Sequence, residues 1–166
     1  MTTDMSKVGT WERYVADVGT ASPKELEKGT ELMQRARRYL SGFKWCAGIR
    51  EEYVGILIED LFGVFLFRIE PARPGVPEWT WIVIGDLPPA YIACDGDTPN
   101  PACALDAYMG CMEDWISAVK EGKSVQELIP VNAPATLEFA TALEGRLNLI
   151  DAHVLSAPEY QADLQN

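Results

Sequence analysis

Two stretches, Val64-Phe65-Leu66-Phe67-Arg68-Ile69 and Trp79-Thr80-Trp81-Ile82-Val83-Ile84, carry apolar residues at odd and even positions alike. Successive side chains of an extended chain point to opposite faces. A sheet wetted on one side would alternate polar with apolar. The two stretches therefore read as neighbouring strands hidden on both faces, and the fold must supply a layer on each side. Helices of this chain can form one layer. The N-terminal segment, a second copy of the chain or a ligand is expected to form the other. The surplus of apolar sheet surface makes a homodimer the expected assembly.

Around these two strands the pattern extends from Trp45 to Cys94. Strands are predicted near Trp45–Arg50, Tyr53–Ile58, Gly63–Glu70, Glu78–Gly85 and Tyr91–Cys94, the first two being separate or one long strand. The separators are short (Glu59-Asp60, Pro71 to Pro77, Asp86 to Pro89), and short connections favour antiparallel pairing. The expectation is a meander of four or five strands over about 45–94.

Helices flank it on both sides. Ser22-Pro23-Lys24-Glu25 combines a capping serine, a first-turn proline and a capping-box glutamate, which predicts a helix to about Leu40. Leu26, Leu32, Met33, Ala36, Tyr39 and Leu40 form its apolar stripe, and Ser41-Gly42 is its stop. A shorter helix is suggested by Trp11, Tyr14, Val15 and Val18 at helical spacing. Asn100-Pro101 opens another helix, with Leu105, Tyr108, Met112, Trp115, Ile116 and Val119 on one face. Ser124 to Ile129 reads as a short helical turn. A last helix is predicted over about Ala135–Val154, facing the core with Ala140, Leu143, Leu147, Ile150 and Val154. Segregated runs of helix, strands and helices argue for one α+β domain over residues 1–166, with residues 1–20 and 156–166 expected to fray at the ends.

Charge is unevenly spread. Residues 1–73 hold eleven Lys/Arg and eleven Asp/Glu, whereas residues 74–166 hold three and fourteen, so the whole net charge of −11 falls in the second part. Such a segment repels a phosphate backbone, which argues against nucleic acid, and attracts a basic protein partner. Arg35, Arg37 and Arg38, late in the first long helix, complement its dipole. No apolar run reaches the length of a membrane span, and Met1 to Val8 has no leader pattern, so a cytoplasmic protein is expected. Four cysteines without a CxxC pair, beside a single histidine, read as buried thiols rather than a zinc site.

Val64-Phe65-Leu66-Phe67-Arg68-Ile69, Gly85-Asp86-Leu87-Pro88-Pro89-Ala90-Tyr91 and Leu128-Ile129-Pro130-Val131-Asn132 resemble stretches of small bacterial proteins of unassigned function. The resemblance spans roughly residues 45–150. It implies a bacterial source and brings no catalytic motif.

Four sets of residues are worth weighing as sites. Asp95-Gly96-Asp97 follows an apolar strand, where a carboxylate pair could hold Mg²⁺ or Ca²⁺. Pro99 stands where haloacid-dehalogenase-type phosphatases want threonine. An EF-hand counted from Asp95 fails at Pro99 and Asp106. A polar turn explains the same composition, so no cofactor is expected. Cys103, near a helix start, would need His153 as its base. Arg68, Glu78, Asp86 and Tyr91 could form a polar set at the sheet end, with Glu70 or Asp86 as partner of Arg68. Trp79 and Trp81 share one strand face and are either core or a binding hot spot. The hypothetical binding residues are therefore Trp79, Trp81, Arg68, Asp86 and Tyr91. The expected function is an acidic binding or regulatory module of the immunity, antitoxin or inhibitor type, without chemistry. The alternatives are a small enzyme using Asp95 and Asp97 and a small-molecule-binding domain.

Overall fold

The computed structural model describes residues 3–19, 22–58 and 60–166. The chain is α+β: helices α1 (Trp11–Val18) and α2 (Pro23–Ser41), strands β1 (Cys46–Ile58), β2 (Phe62–Pro71), β3 (Trp79–Gly85) and β4 (Leu87–Ala93), then helices α3 (Pro101–Lys120), α4 (Leu137–Ile150) and α5 (Pro158–Leu164). The sheet is an antiparallel meander in the order β1-β2-β3-β4.

Both faces of the central strands are covered by helices of this chain. Phe65, Phe67 and Ile69 of β2 and Ile82 and Ile84 of β3 pack with Leu32, Met33, Ala36 and Leu40 of α2. On the other face Val64, Leu66, Trp81 and Val83 pack with Leu105, Tyr108 and Met112 of α3 and with Leu143 and Leu147 of α4. A second copy is thus not needed to hide the sheet, because α2 supplies the layer whose source the sequence left open. The helix starts as its residues dictate: Ser22 accepts from the Glu25 amide while the Glu25 carboxylate accepts from the Ser22 amide, joining two otherwise orphaned donors.

Two elements differ from expectation, and one open alternative is decided. Trp45–Arg50 and Tyr53–Ile58 are one strand, interrupted only by register shifts. The charged Arg50-Glu51-Glu52 does not break it, because on an edge strand these side chains reach partners: Glu51 meets Arg68, Glu52 meets Arg37 and Arg50 meets Glu70. Of the predicted turn Glu59-Asp60, Glu59 lies outside the described residues. The expected loop Asp86–Pro89 is mostly strand, since β4 begins at Leu87. Pro88 and Pro89 lack an N–H and are tolerated because β4 is an edge. Their carbonyls accept from Tyr108 of α3 at 2.7 Å and from Tyr39 of α2 at 3.4 Å. Ser124 to Ile129 holds only a turn, closed by the Leu128 amide on the Val125 carbonyl.

The described residues of both end segments make packing contacts with the rest of the fold. Val8 is buried, and Gly9 exchanges two backbone hydrogen bonds with Val54 of β1. At the other end α4 runs into a π-helical turn (Asp151–Leu155) that buries Val154 and Leu155. Helix α5 then docks on the start of α3. The Asp163 carboxylate pairs with Lys7 at 2.7 Å, and its carbonyl accepts from the Asn100 side chain at 3.0 Å.

The β3–β4 corner has one demanding residue. Gly85 has φ +148, and a Cβ there would sit 2.3 Å from the Leu61 carbonyl oxygen and 2.5 Å from the Phe62 Cα. Neither backbone atom can retreat without moving β2. Replacing Gly85 by Ala is expected to cost about 3 kcal/mol or more, read as a fall in the urea midpoint at unchanged m-value.

Candidate binding surface

The sequence places Tyr39, Phe43 and Trp45 across the end of α2 and the start of β1, and the fold brings them to Tyr91 on β4. Phe43 stacks on Trp45 at 5.0 Å between ring centres, and Tyr91 meets both edge-on at 5.1 Å. Tyr39 meets Phe43 edge-on at 5.1 Å. Tyr91 remains 44% exposed, so one wall of this cluster faces outward. Beside it the β2–β3 loop arches over a hollow of about 260 Å³, lined by Trp45, Arg73, Val76, Pro77, Thr80 and Tyr91 among others. Periodicity misses this cluster because the helix stop at Ser41-Gly42 separates Tyr39 from Phe43 and Trp45. Tyr91 was singled out by sequence, but for a polar role.

Trp79 and Trp81 do share a face, with different fates. Trp81 is fully buried and donates its indole N–H to the Thr98 carbonyl at 3.0 Å. Trp79, half-buried at the sheet end, stacks on Tyr53 with the Arg68 guanidinium 5.7 Å from its ring centre. Arg68 bridges Glu51 at 2.8 Å and Glu78 at 3.1 Å. The Tyr53 hydroxyl and Arg68 together hold the Glu51 carboxyl below its ordinary value. The partners of Arg68 are therefore neither Glu70 nor Asp86. Asp86 sits at the opposite end of the strands, paired with Arg146 of α4 at 2.8 Å. Arg35 of α2 reaches the same corner and donates to the Gly85 carbonyl at 3.0 Å. The polar set Arg68, Glu78, Asp86 and Tyr91 is thus not one site.

Asp95 is engaged locally. Its carboxylate accepts from the Asp97 amide at 2.9 Å, its own amide donates to Thr98 Oγ1 at 3.0 Å, and that hydroxyl donates to the Ala93 carbonyl at 2.6 Å. This is the bonding of a turn. Among the described residues no group of three or more His, Cys, Asp and Glu is placed to hold a metal. Asp95→Ala is expected to lower stability by about 1 kcal/mol through the lost turn bonds. The loss should be equal with and without millimolar Mg²⁺ or Ca²⁺. A melting temperature raised by either ion only in the native protein would instead establish a cation site at Asp95 and Asp97.

Cys103 lies in the first turn of α3 and donates to the Asp163 carbonyl at 3.5 Å. Burial pushes its thiol up, and the charges of Asp106 and Asp163 push the same way. No hydrogen bond joins it to His153, which is exposed in the π turn. Burial raises the thiols of Cys46, Cys94 and Cys111 as well, the direction opposite to thiol activation.

The outer charges complete the surface. The three cations of residues 74–166 are all paired within that part: Lys120 with Glu144, Lys123 with Glu121 and Arg146 with Asp86. Asp106, Glu113, Asp114, Glu138 and Asp151 are exposed, with no ion-pair partner among the described residues. The α3–α4 layer therefore presents carboxylates without counter-charges. Among the described residues no helix is long and apolar enough to cross a membrane. Comparison with protein-family models, with curated proteins and with solved structures finds no match to this chain.

The tyrosines offer a pH test. Burial pushes Tyr39 up to about 12 and raises Tyr108 as well. In the unfolded chain both ionise near the ordinary value of about 10. Above it the unfolded state loses protons that the folded state keeps, so stability falls as pH rises from there through the folded value. The urea midpoint is expected to drop between pH about 10 and about 12, and to drop less in Tyr39→Phe.

Proposed function

We propose that this protein is a binding module that engages a basic protein partner through the outer face of its α3–α4 layer, in the manner of an immunity protein, antitoxin or inhibitor, and performs no chemistry of its own. The observation that carries this reading is the state of the charges. Every cation after residue 73 is already paired inside the fold, while carboxylates such as Glu113 and Asp114 are left open to a partner. Complementary charge steers encounter and selects partners more than it deepens affinity. The four free thiols suit a reducing compartment, consistent with a cytoplasmic encounter.

The test is capture at low salt, followed by purification of the captured protein and calorimetry against defined variants. The expected partner carries a net positive charge, and its affinity falls at least about tenfold from low to high salt because exposed charges are screened. Reversing two carboxylates, Glu113→Lys with Asp114→Lys, is expected to weaken binding by at least about tenfold. A partner bound equally by both proteins and at all salt concentrations would refute the reading, as would capture of no basic protein at any salt.

A further inference from the structure

The hollow beside Tyr91 differs from the other hollows in its charge. One of about 390 Å³ at the β3–β4 corner is lined by Arg146 and Asp86, which neutralise each other. A third, about 230 Å³ between α2 and the β1–β2 hairpin, contains Lys28 already paired with Asp60 and Arg35 already bonded to Gly85. The hollow under the β2–β3 loop is lined by Trp45, Trp79, Tyr91, Val76 and Pro77 with a single charged residue, Arg73, and no carboxylate. Arg73 makes no ion pair or side-chain hydrogen bond among the described residues. Lys44, beside Trp45, is likewise exposed and unpaired. Of the nearest carboxylates along the chain, Glu70 is paired with Arg50 at 4.0 Å and Glu78 with Arg68, and Asp95 accepts within its own turn. A chain with eleven excess negative charges has left an uncommitted guanidinium in the lining of an aromatic hollow.

We propose that this hollow binds a small monocarboxylic acid with a flat apolar body, the ring lying against Trp45 and Tyr91 and the carboxylate meeting Arg73. An apolar cavity with few polar groups at its rim is the common form of a small-ligand site, and the guanidinium fork matches a carboxylate in two parallel hydrogen bonds. The lining offers one guanidinium and no second cation, so a single charge is the fitting one. The site is independent of the acidic α3–α4 face, which lies across the sheet from it.

The probe is 1-naphthoate, followed by calorimetry and by amide-correlation NMR on the intact chain. Saturable binding is expected, with shifts confined to the amides of Trp45, the β2–β3 loop, Thr80 and Tyr91 to Ala93. The neutral 1-naphthamide should bind at least about tenfold more weakly, and so should naphthoate to Arg73→Met, with Arg73→Lys between the two. Arg73 is exposed in a loop, so its variants should fold, which an unchanged melting temperature verifies. Trp45→Leu, tested alongside, should lose binding of both probes. The proposal is overturned by absence of saturable binding at millimolar naphthoate, by equal affinity for the amide, by indifference to Arg73→Met, or by shifts elsewhere in the molecule. Tighter binding of the free-acid tripeptide acetyl-Ala-Ala-Trp than of naphthoate would also overturn it, assigning the hollow to a chain terminus.

Discussion

Dryness on both sides of β2 and β3 is the condition from which the rest of the architecture follows. Side chains as large as Phe65, Phe67, Trp81 and Ile82 are fully buried, and each removes about 1.5–3 kcal/mol of apolar surface cost from contact with water. That gain exists only if both helical layers are present, because removing either would wet a whole sheet face. The layers come from opposite ends of the chain: α2 precedes the meander, while α3 and α4 follow it. Neither half can bury its apolar stripe alone.

Polar groups then lock the two layers to the same strand. The carbonyls of Pro88 and Pro89 are bonded from opposite faces by Tyr108 and Tyr39. At the adjoining corner Arg35 holds the Gly85 carbonyl from one layer, and Arg146 holds the Asp86 carbonyl and carboxylate from the other. Proline removes donors from this edge, and the tyrosines occupy its acceptors, so the first part of β4 offers little to a foreign strand. Among the described residues no buried side-chain nitrogen or oxygen lacks a partner. A buried polar group left unpaired would cost more than its bond contributes when made, so these positions are constrained jointly rather than singly.

What could be read from the sequence was whatever local chemistry dictates. Ser22, Pro23 and Glu25 announce α2, Asn100 and Pro101 announce α3, and the apolar run through Ile69 announces a strand covered twice. What could not be read depends on tertiary partners. Arg50-Glu51-Glu52 resembles a break until Arg37 and Arg68 are in place to receive it. Leu87-Pro88-Pro89 resembles a loop until the strand is known to be an edge. Asp86 and Arg68 were grouped although the meander puts them at opposite ends of the strands, because a sequence fixes which face a side chain takes and not how far along the sheet its neighbour lies. The cluster of Tyr39, Phe43, Trp45 and Tyr91 spans α2, the turn after it and β4 and has no period to betray it. The charge imbalance was legible in full, but not the pairing that leaves the acidic half without a free cation.

That pairing also gives each surface its own sign. Screening confines the influence of an exposed charge to about 8–10 Å at ordinary ionic strength, comparable with the spacing of about 10 Å between packed layers. A carboxylate on the outer side of α3 must act across its own helix and the sheet to reach the hollow on the far side. Arg73 stands at the rim of that hollow. In the proposed scheme the local cation would govern what the aromatic hollow accepts, while the unpaired carboxylates would govern what approaches the α3–α4 face. One chain of net charge −11 would then select a cation on one side of its sheet and, as proposed, an anion on the other.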